Sequence, residues 1–190
     1  MTDYATLLLN RRSIRNFTEK EVPTDLVKEI LDDTILAPSA SNGQPWKFII
    51  VNDRATMKRF SDESKRNMLA DIEADPNHPA KQYADQLKVE EFNIFYNAPC
   101  LVLIAGKRGY GPLAVDCGLA ACYFMFAAAA RGLGTCWIGL GTQLRDPETM
   151  SLLNLPEDHT IVAPIILGYP ADIPEAWGRR DPEVLAVVEG

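Results

Sequence analysis

Apolar residues recur along this chain in two rhythms. Three- and four-residue spacing links Tyr4, Leu7 and Leu8, and then Leu26, Val27, Ile30, Leu31 and Ile35. It predicts helices over Asp3–Asn10 and from Thr24 to about Ala37. Thr2 or Asp3 suits the N-cap of the first and Thr24 that of the second, while Pro38 ends the second. Short, nearly continuous apolar runs read as buried strands: Trp46–Asn52, Pro99–Gly106, Thr135–Ile138 and Ile161–Gly168. Further helices are predicted over Arg54–Asp71, around Gln82–Phe95, over Leu113–Arg131 and from Pro147 to about Leu153. Pro112 stands at the first turn of the third of these, and Asp146 caps the last, with Pro147 at its first position. Ser39–Pro45 is a polar loop, and Ala74–Ala80, with Pro76 and Pro79, is expected to be a mobile surface break. From Tyr169 the chain is proline-rich and ends on the apolar stretch Val184–Val188.

Helices and strands are interspersed, which implies a layered αβ protein, but the connections are too irregular for a simple βαβ repeat. No G-x-G-x-x-G lies between a strand and a helix, and Gly132-x-Gly134 follows a helix, so a Rossmann dinucleotide site is not supported. Cys117–Ala130 is apolar on nearly every face. It is shorter than the roughly 20 residues a bilayer demands, so it reads as a buried helix. Such a helix needs covering all round, and a second subunit is one way to provide the cover.

A chain of 190 residues, 47% hydrophobic, fits one domain with a real core or one protomer of an obligate dimer. Its net charge of -7 argues against nucleic acid or an anionic membrane as partner. No basic segment followed by an apolar one opens the chain, so no signal peptide is read. Cys100, Cys117, Cys122 and Cys136 form no C-x-x-C, and His78 and His159 are far from them in sequence. That pattern argues against zinc and against a disulfide scaffold, and it fits a reducing cytoplasm.

Against this acidic background, Asn10–Phe17 places three arginines and a serine within five residues. In an extended segment Arg11, Ser13 and Arg15 point to one side, opposite Arg12 and Ile14. Two guanidinium forks and a hydroxyl on one side suit a phosphate or another planar anion. The competing reading is a solvated basic turn that caps the first helix with positive charge.

Three separated stretches together resemble the FMN-dependent nitroreductase family. They are Arg11–Arg15 after a short helix, Ala37–Trp46 before a strand, and a long alanine-rich helix ending in Gly132–Gly139, followed later by Ile166–Pro170. The resemblance implies an α+β, nitroreductase-like fold in a single domain over residues 1–190. Its central mixed, mainly antiparallel sheet is flanked by helices, and the chain forms an intertwined homodimer with FMN at the subunit interface. Carried over residue by residue, Arg11 and Ser13, with Arg12, resemble the phosphate and ribityl contacts. Arg15 resembles the residue facing the pyrimidine edge of the flavin. Pro38, Ser39, Ala40 and Asn42, joined by Gln44, resemble the loop donated by the other subunit. Gly139, Leu140 and Gly141 resemble the segment near the flavin's N5, and Arg179 or Arg180 the C-terminal residue closing on the phosphate.

The activity so implied is ping-pong hydride transfer from NAD(P)H through the flavin to a nitroaromatic, quinone, enone or flavin. The flavin carries the redox step, so no Ser/His/Asp or paired-carboxylate arrangement is needed, and none is found. Flavin fragmentation, reductive dehalogenation and flavin binding without turnover are the open alternatives. The chain departs from many members at Cys122-Tyr123, where they carry a Gln-Asn pair, and in the region Asp71–Phe95. There Tyr83, Phe92, Phe95 and Tyr96 are candidates to face substrate, each with core packing as its competing role.

Overall fold

The computed structural model describes residues 3–189. Its ten regular elements are α1 (Tyr4–Asn10), α2 (Thr24–Thr34), β1 (Lys47–Val51), α3 (Arg54–Ala74), α4 (Ala84–Leu87), β2 (Cys100–Lys107), α5 (Leu113–Ala130), β3 (Gly134–Trp137), α6 (Pro147–Leu152) and β4 (His159–Gly168). The strands form one antiparallel sheet in the order β1-β2-β4-β3. A single parallel bridge, Ser13 with Thr135, adds the arginine segment beyond β3.

The sheet is the middle of three layers. β2 is buried on both faces because its side chains alternate between two cores. Val102 and Ile104 meet α2 and α5 through Val27, Ile30 and Phe124. Leu101 and Leu103 meet α3 and the 94–98 segment through Met57, Phe60 and Phe95. Pro164, which cannot donate to a ladder, lies in β4 beside the register shift at Ile104/Ala105.

Asp3 caps α1, its carboxylate accepting the Thr6 N–H at 3.0 Å; the Thr2 alternative lies outside the described residues. α2 is capped differently from expectation. Pro23 holds the cap position, and the Thr24 hydroxyl instead accepts the Asn52 amide at 3.0 Å. α2 also stops at Thr34, whose hydroxyl bonds back to the Ile30 carbonyl at 2.7 Å.

The helix expected around Gln82–Phe95 shrinks to Ala84–Leu87. Beyond it the Lys65 ammonium takes the carbonyls of Val89, Glu90 and Phe92, which a helix would have bonded internally. The Asn93 carboxamide accepts the Phe95 N–H, and Tyr96 and Asn97 turn to positive φ.

α5 is only half covered. Cys117, Ala120, Ala121, Phe124 and Ala128 are buried, while Val115, Leu119, Cys122 and Tyr123 remain exposed on the outer face. It is the one helix among the described residues long and apolar enough to cross a membrane, with a mean hydropathy of 1.8. Its packing on α2, β2, β3 and β4 accounts for the inner half of that apolar surface.

α6 hangs on a buried carboxylate. Glu63 of α3 accepts the backbone N–H groups of Arg145 and Asp146 at 2.6 and 2.8 Å, and the Thr149 hydroxyl at 2.5 Å. It serves the free donors at the start of α6, which Asp146 leaves uncapped. Glu63→Ala is expected to destabilise the chain by about 3 kcal/mol or more, since each buried donor left unpaired costs roughly 1–3 kcal/mol. Glu63→Gln keeps an acceptor and is expected to lose much less. Urea denaturation of the two variants checks the difference.

Candidate functional site

The arginine segment is extended because it is laid against the sheet edge. The Ile14 N–H donates to the Thr135 carbonyl at 2.9 Å, and Ile14 is buried. This contact needs Gly134: a Cβ there would come within 2.6 Å of the Ile14 side chain. With Ile14 pointing in, Ser13 and Arg15 are exposed and Arg11 half-buried.

Arg12 turns back to donate to the carbonyls of Leu9 and Arg11 at 2.6 and 2.9 Å, so it serves as the basic cap of α1. Its Nε is nevertheless buried with no hydrogen-bond partner. The Arg11 guanidinium lies 6.0 Å from the centre of the Phe126 ring on α5, and that of Arg15 lies 5.7 Å from the centre of the Tyr96 ring. No ion pair among the described residues involves Arg11, Arg12, Arg15 or Arg179.

These residues share a cavity of about 540 Å³ that Arg11, Arg12, Ser13 and Arg15 line together with Trp177 and Arg179. Arg179, and not Arg180, thus faces the cluster. Arg15 also borders a second cavity of about 470 Å³. Its walls are aromatic: Tyr83, Phe92, Tyr96 and Trp137, with Gly139 and Leu140 at one side. Phe92 and Tyr96 meet edge to face at 6.0 Å. A cationic, hydroxyl-bearing hollow therefore opens beside an aromatic one, with Arg15 at the junction. This arrangement suits a ligand with an anionic tail and a planar head.

The other expected residues are placed as follows. Gly139 opens onto free space, whereas Gly141 is buried, and a Cβ there would come within 2.8 Å of Phe95. Phe95 itself is fully buried and is a packing residue. The loop bearing Pro38, Ser39, Ala40, Asn42 and Gln44 lines neither cavity. It is tied to the first turn of α5, where the buried Asp116 carboxylate accepts the Ala40 N–H at 3.1 Å and the Tyr110 hydroxyl at 3.3 Å. The Ser39 hydroxyl accepts the Gln44 N–H at 3.0 Å, and Ser41, Asn42 and Gln44 adopt positive φ.

The arginine cluster lies at the far end of the same helix, since Ala129 borders a small cavity with Arg11 and Arg12. At 1.5 Å per residue, Asp116 and Ala129 are roughly 20 Å apart along α5. The loop and the arginine cluster thus lie at opposite ends of one helix.

Among the lining residues that escaped the sequence reading are Met68, Ile94 and Trp137. Trp137 had a signal, because in β3 it follows the buried Cys136 and period-two alternation sets it on the opposite face of the sheet. The Cys136 thiol lies under the arginines. Burial pushes its pKa up, while Arg15, Ser13 and Arg11 pull it the other way.

Residues 8–169 match the family model described as the nitroreductase family. An Archaeoglobus fulgidus protein named as a candidate NADH dehydrogenase/NAD(P)H nitroreductase is 28% identical over 182 residues, covering 95% of this chain and 93% of its own. A Rhodospirillum rubrum 5,6-dimethylbenzimidazole synthase is 29% identical over 192 residues, covering 90% and 87%. Among solved structures, a Bacteroides fragilis nitroreductase with bound FMN superposes with a TM-score of 0.84 at 24% identity, over 98% of this chain and 100% of its own. With the family pattern spanning both the arginine segment and the aromatic cavity, this chain belongs to the nitroreductase family.

Proposed function

We propose that this protein is an FMN-dependent oxidoreductase that draws on NAD(P)H and passes electrons to an electron-poor acceptor. The observation that carries this reading is the unpaired arginine cluster in an acidic chain, opening onto an aromatic cavity at Arg15. The donors fit the cofactor's phosphate. Arg12 keeps a buried Nε without a partner, and Arg11, Ser13 and Arg179 face the same hollow. When bound, FMN supplies hydride chemistry that no side chain offers. The chain's own residues bind and orient. Arg11 and Ser13 hold the anionic end, Arg15 sets a fixed positive charge at the ring end, and Gly139 leaves a ring face open.

The complete site is assembled by two copies. The loop Pro38–Gln44 and the arginine cluster are separated along α5, so an antiparallel partner helix brings the loop of one copy to the arginines of the other. The same pairing covers Val115, Leu119 and Tyr123, and the exposed tail residues Trp177, Val184 and Leu185 call for cover as well. The four free thiols accord with a cytoplasmic setting. One observation favours a second reading, cofactor fragmentation on this fold: the Rhodospirillum rubrum relative is named as a 5,6-dimethylbenzimidazole synthase. Product analysis by mass spectrometry under oxygen separates the two.

Anaerobic mixing of the flavin-loaded protein with NADPH or NADH is expected to bleach the visible flavin band; absence of bleaching with both overturns the reading. Arg11→Ala is expected to weaken FMN binding by about 1.5–3 kcal/mol, the value of a charge-assisted hydrogen bond, and unchanged affinity in a fluorescence titration would move the phosphate elsewhere. The pairing predicts contact at the helix midpoint. Counting inward from Asp116 and Ala129 places Cys122 and Tyr123 beside the two-fold axis. A short bismaleimide is therefore expected to join two chains through Cys122, and Cys122→Ser to abolish the product. The test is clean because Cys100, Cys117 and Cys136 are buried, with burial pushing the first two up to about 12 and about 11.

A further inference from the structure

Helix α3 buries more polar chemistry than its packing requires: Ser61, Glu63, Ser64, Lys65 and Asn67 all lie inside. Glu63 and Asn67 are accounted for by α6 and its approach, Asn67 donating to the Gln143 carbonyl at 2.8 Å. Lys65 is different. It is 7% exposed, and no ion pair among the described residues involves it. Its three ammonium donors go to three carbonyls, Val89 at 2.6 Å, Phe92 at 2.9 Å and Glu90 at 3.2 Å. A buried ammonium without a counter-ion is costly, and an apolar side chain of the same length would fill the space without that cost. What the charge adds is the conformation of residues 89–92, whose carbonyls it turns inward. One helical turn earlier, the Ser61 hydroxyl accepts the Ile94 N–H at 3.0 Å and fixes the next part of the same segment.

That segment presents Phe92, Ile94 and Tyr96 to the cavity that Arg15 borders, and Met68 of α3 reaches the same cavity. Helix α3 is thus both a wall of the cavity and the fastening of its opposite wall. We propose that Lys65 is a positioning residue. Through the 89–92 carbonyls it holds the aromatic wall at the spacing that admits a flat ring over the open face, and so selects planar aromatic acceptors. The proposal rests on the oxidoreductase reading above for the identity of the bound molecule, but not for the pinning itself.

Two measurements on Lys65→Met, with Lys65→Arg as the conservative control, test it. Hydrogen exchange needs no cofactor: the amides of residues 89–97 are expected to exchange at least about tenfold faster in Lys65→Met, since local opening no longer breaks the lysine bonds, and to recover much of their protection in Lys65→Arg. In steady-state turnover at saturating NAD(P)H, Lys65→Met is expected to raise KM for menadione and nitrofurazone about tenfold or more. The kcat with ferricyanide, which accepts electrons without stacking, stays within twofold, as does the amount of bound FMN. A folded, flavin-loaded Lys65→Met with unchanged KM and unchanged exchange overturns the proposal and leaves Lys65 a structural residue. Faster exchange with unchanged KM overturns the selective role alone. A wild-type chain that takes up no flavin sinks the oxidoreductase reading, while the exchange result still decides whether Lys65 pins the wall. If Lys65→Met does not fold, Lys65→Gln, whose carboxamide cannot supply the three donors that the Val89, Glu90 and Phe92 carbonyls take, replaces it in both measurements with the same expected directions.

Discussion

Helix α5 is apolar on nearly every side, yet the chain covers only one of its faces, and that imbalance constrains the rest of this molecule. Its inner face, built from Cys117, Ala120, Ala121, Phe124 and Ala128, is small enough for β2, β3 and β4 to approach closely. Its outer face, with Val115, Leu119 and Tyr123, stays open. The remainder of the architecture answers to this helix. The loop at Ala40 is moored to its first turn by Asp116, and α1 lies over its C-terminal half through the Tyr4–Phe126 and Arg11–Phe126 contacts. Between these two ends the outer face of α5 remains open.

The opposite side of the sheet is organised by different physics. Helix α3 acts there through polar side chains more than through shape. Glu63 starts α6, Asn67 fixes the chain that leads to it, and Ser61 with Lys65 fastens the irregular segment beyond α4. Each satisfies backbone groups that lack a helix or strand partner. The layer facing α5 is an apolar core whose regular elements satisfy their own backbone. The layer facing α3 contains turns, so charge and hydrogen bonding decide its form.

This division explains what was legible in the sequence. All four strands and the long helices could be read because their signals are local: apolar runs for β2 and β4, three-and-four spacing for α2, and glycines after α5. The clustering of the arginine segment around one cavity was legible because three guanidinium groups in five residues stand out in an acidic chain. The helix expected around Gln82–Phe95 was misread because its fate is decided by Lys65, more than twenty residues upstream. No periodicity within the segment could reveal a lysine that captures its carbonyls. Met68 and Ile94 were missed at the cavity for the same reason, since an apolar residue at helical spacing looks alike whether it meets a core or a hollow.

The separation of the loop and the arginine cluster along α5 also has a thermodynamic consequence. On the two-copy reading, assembly and cofactor loading are linked equilibria: a ligand that touches both chains stabilises the pair by mass action, and dilution of the chains weakens its hold. Flavin content then reports on association as well as on affinity. A substitution on the outer face of α5, far from any arginine, would empty the site by separating the chains.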